Sequence, residues 1–206
     1  MLPAQFFDIL LYTAAHADHC SLSQSSNEIF DSLGITISKQ AYDERFDDTA
    51  VAFVKSILEA QLLKQVEGMV HPDFLKKFTK VRIKDGTRFE LPERLKEYFK
   101  GFGGKNVTGA GACIQLEFDL KTGKILELEL TDANRPDNKG VSLKAENIEK
   151  GELVIRDLGY FMLDAVEKII NNGAYIISRL NTKTKAYELN GEEITFGKVY
   201  QRMSKN

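Results

Sequence analysis

The chain has 206 residues, of which 43% are hydrophobic and 28% charged, with a formal net charge of −2. Those values fit one large or two small globular domains with ample material for a core. No apolar run approaches the roughly 18 residues of a membrane span, and the charge balance does not by itself mark a nucleic-acid binder.

The N-terminal apolar stretch Phe6-Phe7-Asp8-Ile9-Leu10-Leu11 lacks a basic lead-in and is broken by Asp8, unlike a signal peptide. Its helical spacing ends near His16. His16, His19 and Cys20 form an H-x-x-H-C cluster with no second ligand pair, so a zinc site is not expected there. Cys20 and Cys113 belong to no CxxC pattern, and a reducing, intracellular setting is the simplest inference. Ser21-Leu22-Ser23-Gln24 is a capping box that opens a helix through Ile29, Phe30 and Leu33, closed by Gly34. Ser38 caps a second helix over Lys39–Phe46. Helix, glycine turn and short helix is the outline of a helix-turn-helix, whose second helix would offer Lys39, Gln40 and Arg45 to DNA. The same outline also occurs in helix pairs that never meet DNA. A long amphipathic helix follows, with Val51, Val54, Ile57, Leu58, Leu62 and Val66 along a stripe expected in the core. Residues 1–70 carry ten acidic against four basic side chains, so attraction to a phosphate backbone would come mainly from the rest of the chain.

Gly68 and His71-Pro72 mark a boundary. Lys80–Asp85 then alternates as a strand expected to stop at Gly86, and Leu91–Phe99 reads as a short helix with Pro92 near its start. The glycine-rich stretch from Gly101 to Gly111 lacks the G-K-[ST] of a phosphate loop and is read as a flexible loop. Cys113–Asp119 and Lys124–Leu130 alternate around Lys121-Thr122-Gly123 as a hairpin. Glu152–Asp157 is a further strand, followed by Gly159 and a helix with Met162, Ala165, Val166, Ile169 and Ile170 inward. Gly173 stops that helix and Ala174–Ser178 forms another strand. Ala186–Leu189 and Glu193–Phe196 make a last hairpin around Asn190-Gly191, and the tail from Lys198 shows no core pattern. This order makes the first and fourth strands potential neighbours. Asp85 and Asp157 would then close two adjacent strands, where carboxylates can gather Mg²⁺, although Asp is also a common turn residue.

Several segments together resemble the DDE transposases of bacterial insertion sequences. Ser21–Gln24, Ser38–Phe46 and Ala50–Phe53 look like that family's N-terminal region. Asp85-Gly86-Thr87-Arg88-Phe89-Glu90-Leu91-Pro92 resembles the segment bearing its first catalytic Asp, and Ile114–Asp119 with Thr122-Gly123 the hairpin after it. Gly151–Phe161 resembles the second catalytic segment and Gly173–Leu180 its sequel. The resemblance implies an α+β fold, a helical N-terminal region on a ribonuclease-H-like mixed β-sheet core with flanking helices. It divides the chain into 1–70, a helical region that would bind DNA, 71–180, a partial catalytic core, and 181–206, the start of a β-rich insertion. It also implies Asp85 and Asp157 as catalytic metal ligands for two Mg²⁺ (or Mn²⁺) ions, and Arg179 as a contact to backbone phosphate or a partner in a surface salt bridge. The implied partners are double-stranded DNA, as transposon terminal repeats and target, and a second copy of the chain in a nucleoprotein homodimer. The implied location is the bacterial cytoplasm, at the nucleoid. The family's third carboxylate lies in a Tyr-x-x-Arg-x-x-x-Glu pattern; Tyr200 is followed three residues on by Met203, and no acid follows. The expectation is therefore a truncated transposase, inactive alone. The alternatives are a fragment that recognises transposon ends or inhibits the full-length enzyme, and a remnant that binds nothing.

Overall fold

A computed structural model of the chain describes residues 2–16, 21–67, 72–102, 109–139, 144–180 and 184–203; His19 and Cys20 of the H-x-x-H-C cluster lie outside them. The first third folds into helices α1 (Pro3–His16), α2 (Leu22–Leu33), α3 (Lys39–Asp43) and α4 (Asp48–Glu67). The capping box forms as its residues dictate: Gln24 N–H donates to Ser21 Oγ at 3.3 Å, and Ser21 N–H to Gln24 Oε1 at 2.9 Å. Such a cap contributes about 1 kcal/mol. Ile9, Ile29 and Tyr42 make a small core between these helices.

Two expectations fail here. Helix α3 ends at Asp43 rather than Phe46, because the Asp47 carboxylate accepts the Ala50 N–H at 2.8 Å and starts α4 instead. Arg45 consequently lies beyond the helix it was expected to occupy. The α4 stripe is also only partly core: Ile57, Leu58, Leu62 and Val66 are half-buried, while Val51 and Val54 are 60% and 40% exposed. Its contacts with the sheet gather around Glu59 and Leu63, more than a turn beyond Val54.

After a single helical turn, α5 (Pro72–Leu75), the chain builds a five-stranded mixed sheet. Its strands are β1 (Val81–Leu91), β2 (Ala110–Asp119), β3 (Ile125–Asp132), β4 (Leu153–Arg156) and β5 (Tyr175–Ser178), in the order β3-β2-β1-β4-β5. The β1-β2-β3 part is antiparallel; β4 joins β1 in parallel and β5 joins β4 in parallel. Helix α6 (Leu163–Asn171) makes the crossover between β4 and β5, burying Ala165 and Ile169 against Val154, Tyr160 and Ala174. A hairpin of β6 (Ala186–Tyr187) and β7 (Glu193–Ile194) and a helix α7 (Phe196–Met203) follow. This is the expected α+β, ribonuclease-H-like arrangement.

Strand β1 does not stop at Gly86. It pairs with β2 continuously from Arg82↔Asp119 to Leu91↔Ala110, so Asp85 sits inside a strand of 11 residues. The Leu91–Phe99 helix shrinks to a 3₁₀ turn at Glu93–Leu95, because the bridge Lys100↔Ala110 draws the chain back to the sheet. Phe196 belongs to α7 rather than to the last strand.

The two faces of the sheet differ sharply. Register places Arg82, Lys84 and Arg88 on one face with Glu117, Gln115, Cys113, Glu127 and Glu129. The other face carries Ile83, Asp85, Ile114, Leu128, Leu130, Ile155 and Ile177. On that second face Leu130 is 54% and Ile177 52% exposed.

Candidate active site

The parallel ladder between β1 and β4 ends at Lys84↔Arg156, and that between β4 and β5 at Arg156↔Ser178. The next residues on the three strands are Asp85, Asp157 and Arg179. They form one row across three adjacent parallel strands, just past the carboxyl ends of β4 and β5 and in mid-strand on β1. Asp85 and Asp157 share the face of Ile83 and Ile155. The row opens because the chains part company there: β1 continues along β2, while β4 leaves the sheet at Asp157 into a 3₁₀ turn over Leu158–Tyr160.

Both carboxylates are exposed. Asp85 Oδ1 accepts the N–H of Gly86 at 2.8 Å. Asp157 is held by Arg179, whose Nε donates to Oδ1 at 2.8 Å and whose Nη2 reaches the same oxygen. The Leu158 backbone N–H and then Arg179 hold the Asp157 carboxyl below its ordinary range, so it is ionised at neutral pH. Of the expected pair of roles for Arg179, the structure shows the salt bridge. Lys39 and Gln40 are exposed on the first turn of α3 and Arg45 lies beyond its end, all outside this row.

The donor set suits a hard divalent cation. Mg²⁺ is commonly held by one or two carboxylates, the remaining positions going to water and substrate phosphate, and Asp85 and Asp157 supply that much. No cluster of three or more His, Cys, Asp or Glu side chains able to hold a metal occurs among the described residues.

Beneath the row lies a layer of paired charge. Lys80 Nζ and Arg82 Nε each donate to Glu152 at 2.6 Å, and Glu117 meets Arg82 at 3.7 Å and Arg156 at 3.4 Å. Lys84 reaches Glu127 at 2.9 Å, Lys144 bridges Glu127 and Glu129, and Arg135 reaches Glu129 at 2.6 Å. Burial pushes the Glu152 carboxyl up, but the bonds from Arg82 and Lys80 outweigh it and the net shift is downward. Lys144 and then Arg135 bring Glu129 down to about 2.

The family model for the transposase DDE domain matches residues 76–206, which contain the whole sheet and all three residues of the row. The chain belongs to the DDE transposase family. It is 31% identical over 183 residues to the transposase for insertion sequence element IS231B of Bacillus thuringiensis subsp. berliner, covering 87% of this chain and 38% of the relative. The transposase for IS231F of Bacillus thuringiensis subsp. israelensis is 31% identical over 159 residues, covering 76% and 33%. The transposase for IS1151 of Clostridium perfringens is 27% identical over 185 residues, covering 87% and 39%. This DDE transposase chain therefore spans between 33 and 39% of the length of these relatives.

Sequence reasoning missed several residues beside the row of the DDE domain. Gln115 lies directly across from Gly86, and the Tyr160 hydroxyl donates to its Oε1 at 2.6 Å. Gln115 Nε2 donates to Asp137 Oδ1 at 3.3 Å, and Arg88 pairs with the same oxygen. A signal existed: alternation continues past Gly86 through Thr87, Phe89 and Leu91, which announces a long strand and so a partner for Gly86.

Proposed function

We propose that this chain carries part of the catalytic core of an insertion-sequence transposase, with Asp85 and Asp157 as ligands for Mg²⁺ or Mn²⁺ in DNA strand cleavage and strand transfer. The observation that carries the reading is the row Asp85-Asp157-Arg179 on neighbouring parallel strands within a DDE domain. Bound divalent ions of the two-metal type would activate the attacking oxygen and stabilise the leaving one in an in-line phosphodiester displacement. The two carboxylates would hold such ions, and Arg179, once released from Asp157, would present its planar fork to a backbone phosphate. Lys39, Gln40 and Arg45 of the region 1–70 are proposed contacts to the DNA of the transposon ends, the core extends over 71–180, and 181–206 begins an insertion. Double-stranded terminal-repeat and target DNA, a homodimeric complex and a cytoplasmic, nucleoid-associated location complete the reading.

Titration of the chain with Mn²⁺, free ion being read by electron paramagnetic resonance, tests it. Saturable uptake is expected, with Asp85→Asn or Asp157→Asn weakening it at least tenfold; uptake indifferent to both substitutions would remove the carboxylates from any metal site.

A second reading is favoured by one observation, that no third acidic side chain joins the pair among the described residues. The chain would then be a catalytically incomplete DNA-binding fragment that recognises transposon ends or inhibits the full-length transposase. End-specific mobility shifts without metal, unchanged in Asp85→Asn, would support it over the first.

A further inference from the structure

The two Asp-bearing segments are tied together on the face opposite the carboxylates. Gly86 follows Asp85 on β1, and Gln115 of β2 is its register partner. A Cβ on Gly86 would lie 2.9 Å from the Tyr160 hydroxyl oxygen and 3.0 Å from Gln115 Nε2. Tyr160, which closes the turn begun by Asp157, therefore rests directly on bare backbone beside Asp85. Its N–H returns to the Asp157 carbonyl at 3.0 Å, so the ring and the second carboxylate belong to one turn. The hydroxyl is satisfied by Gln115 at 2.6 Å, and both side chains are at least 94% buried. Burial, and then the charges of Asp137 and Asp85, push the phenol well above its ordinary pKa, which keeps it a donor.

Asp137 also lies close against the same turn. A Cβ on Gly159 would come within 2.9 Å of Asp137 Oδ2, while Asp137 Oδ1 takes bonds from Gln115 and Arg88. Arg88 Nε in turn donates to the Ala133 carbonyl at 3.1 Å. Strand β1, strand β2 and the loop after β3 thus converge on the turn that follows Asp157. These side-chain contacts lie beyond the parallel ladder, which has already ended at Lys84↔Arg156.

We propose that Tyr160 is a positioning residue, whose hydroxyl on Gln115 above the bare backbone of Gly86 sets the place of Asp157 against Asp85. Its consequence for metal binding rests on the reading of the two aspartates given above; the tie between the segments does not. Gly86 and Tyr160 are then matched residues, one lacking the atoms that the other would strike.

Three chains test this: Tyr160→Phe, Gly86→Ala and the double variant. Amide exchange of Tyr160 and Phe161, which close the turn onto Asp157 and Leu158, is followed by NMR together with the β2–β3 ladder as an internal control. In Tyr160→Phe the two turn amides should exchange roughly tenfold faster with the ladder unchanged, and Mn²⁺ affinity should fall by roughly fivefold, as loss of one buried hydrogen bond implies. Gly86→Ala should do at least as much in the parent chain. It should do less when added to Tyr160→Phe, because the oxygen that the new methyl would strike has gone. Unchanged turn exchange in Tyr160→Phe overturns the proposal, and so does a Gly86→Ala effect of equal size with and without the hydroxyl. Full Mn²⁺ affinity in Tyr160→Phe, where the parent chain binds the ion, overturns the positioning role. If the parent chain takes up no Mn²⁺, the metal-ligand reading fails, and the exchange rates with the Gly86 rescue alone decide whether Tyr160 fixes the turn.

Discussion

Glu152 is 1% exposed yet charged, held between Lys80 and Arg82 at 2.6 Å each. An acid is tolerated there because its two oxygens each have a cationic donor, which repays much of the desolvation. Removing it leaves a largely buried guanidinium without that partner. Glu152→Ala is therefore expected to destabilise the chain by about 3 kcal/mol, measured as a fall in the urea midpoint at constant slope. An unchanged midpoint would mean that the pair contributes nothing to stability. This residue shows why part of the site was illegible. Alternation of Lys80, Arg82 and Lys84 reads as a solvated strand face, and only pairing with β2, β3 and the residue before β4 reveals that those charges face one another. Asp85 and Asp157 stood out because each follows an alternating run and precedes a glycine or a turn, although β1 in fact continues past Asp85. Tyr160 did not, since a buried tyrosine is unremarkable until its hydroxyl is located.

At the level of elements, the sheet was largely readable: the hairpin β2–β3, the β4–α6–β5 unit and the neighbouring of β1 and β4 all follow from alternation, glycine stops and order. The boundaries that failed did so where a tertiary partner overruled a local signal. Gly86 is a weak strand residue, but β2 pairs across it. At Phe46 the competing signal is local instead: Asp47 caps the next helix. The union of β3 with the loop after it also predicts an acid dependence. Glu129 has its folded pKa lowered to about 2 from an ordinary 4.5, so its contribution is fully present above about 4.5 and is lost as pH falls toward 2. Glu127 and Glu152 are shifted in the same direction. The midpoint of thermal unfolding should fall steeply over that interval, and Glu129→Gln should flatten the part that Glu129 supplies. A midpoint indifferent to pH between 5 and 3 would contradict the paired-charge layer.

For the whole molecule, the unequal faces of the sheet matter most. One is satisfied by ion pairs and helix α6; the other shows Ile114, Leu128, Leu130 and Ile177 to solvent beside the aspartates. Exposed apolar side chains on one sheet face promote association. Light scattering of the isolated chain should show growth of large species with concentration, and Leu128→Lys with Leu130→Lys should suppress it without moving the unfolding midpoint by more than about 0.5 kcal/mol equivalent. Monodisperse solutions at high concentration would show that this face is harmless in water.

The parallel pairing of β1 with β4 also sets an order in time. Lys80 and Glu152 are 72 residues apart, whereas the β1–β2–β3 meander closes locally. A growing polypeptide can complete the meander, Asp85 included, long before β4 leaves the ribosome. The row of Asp85, Asp157 and Arg179 exists only once β5 has been made. Until β4 and β5 have been made, Asp85 has neither Asp157 nor Arg179 beside it, and whatever the row binds must wait for the finished sheet.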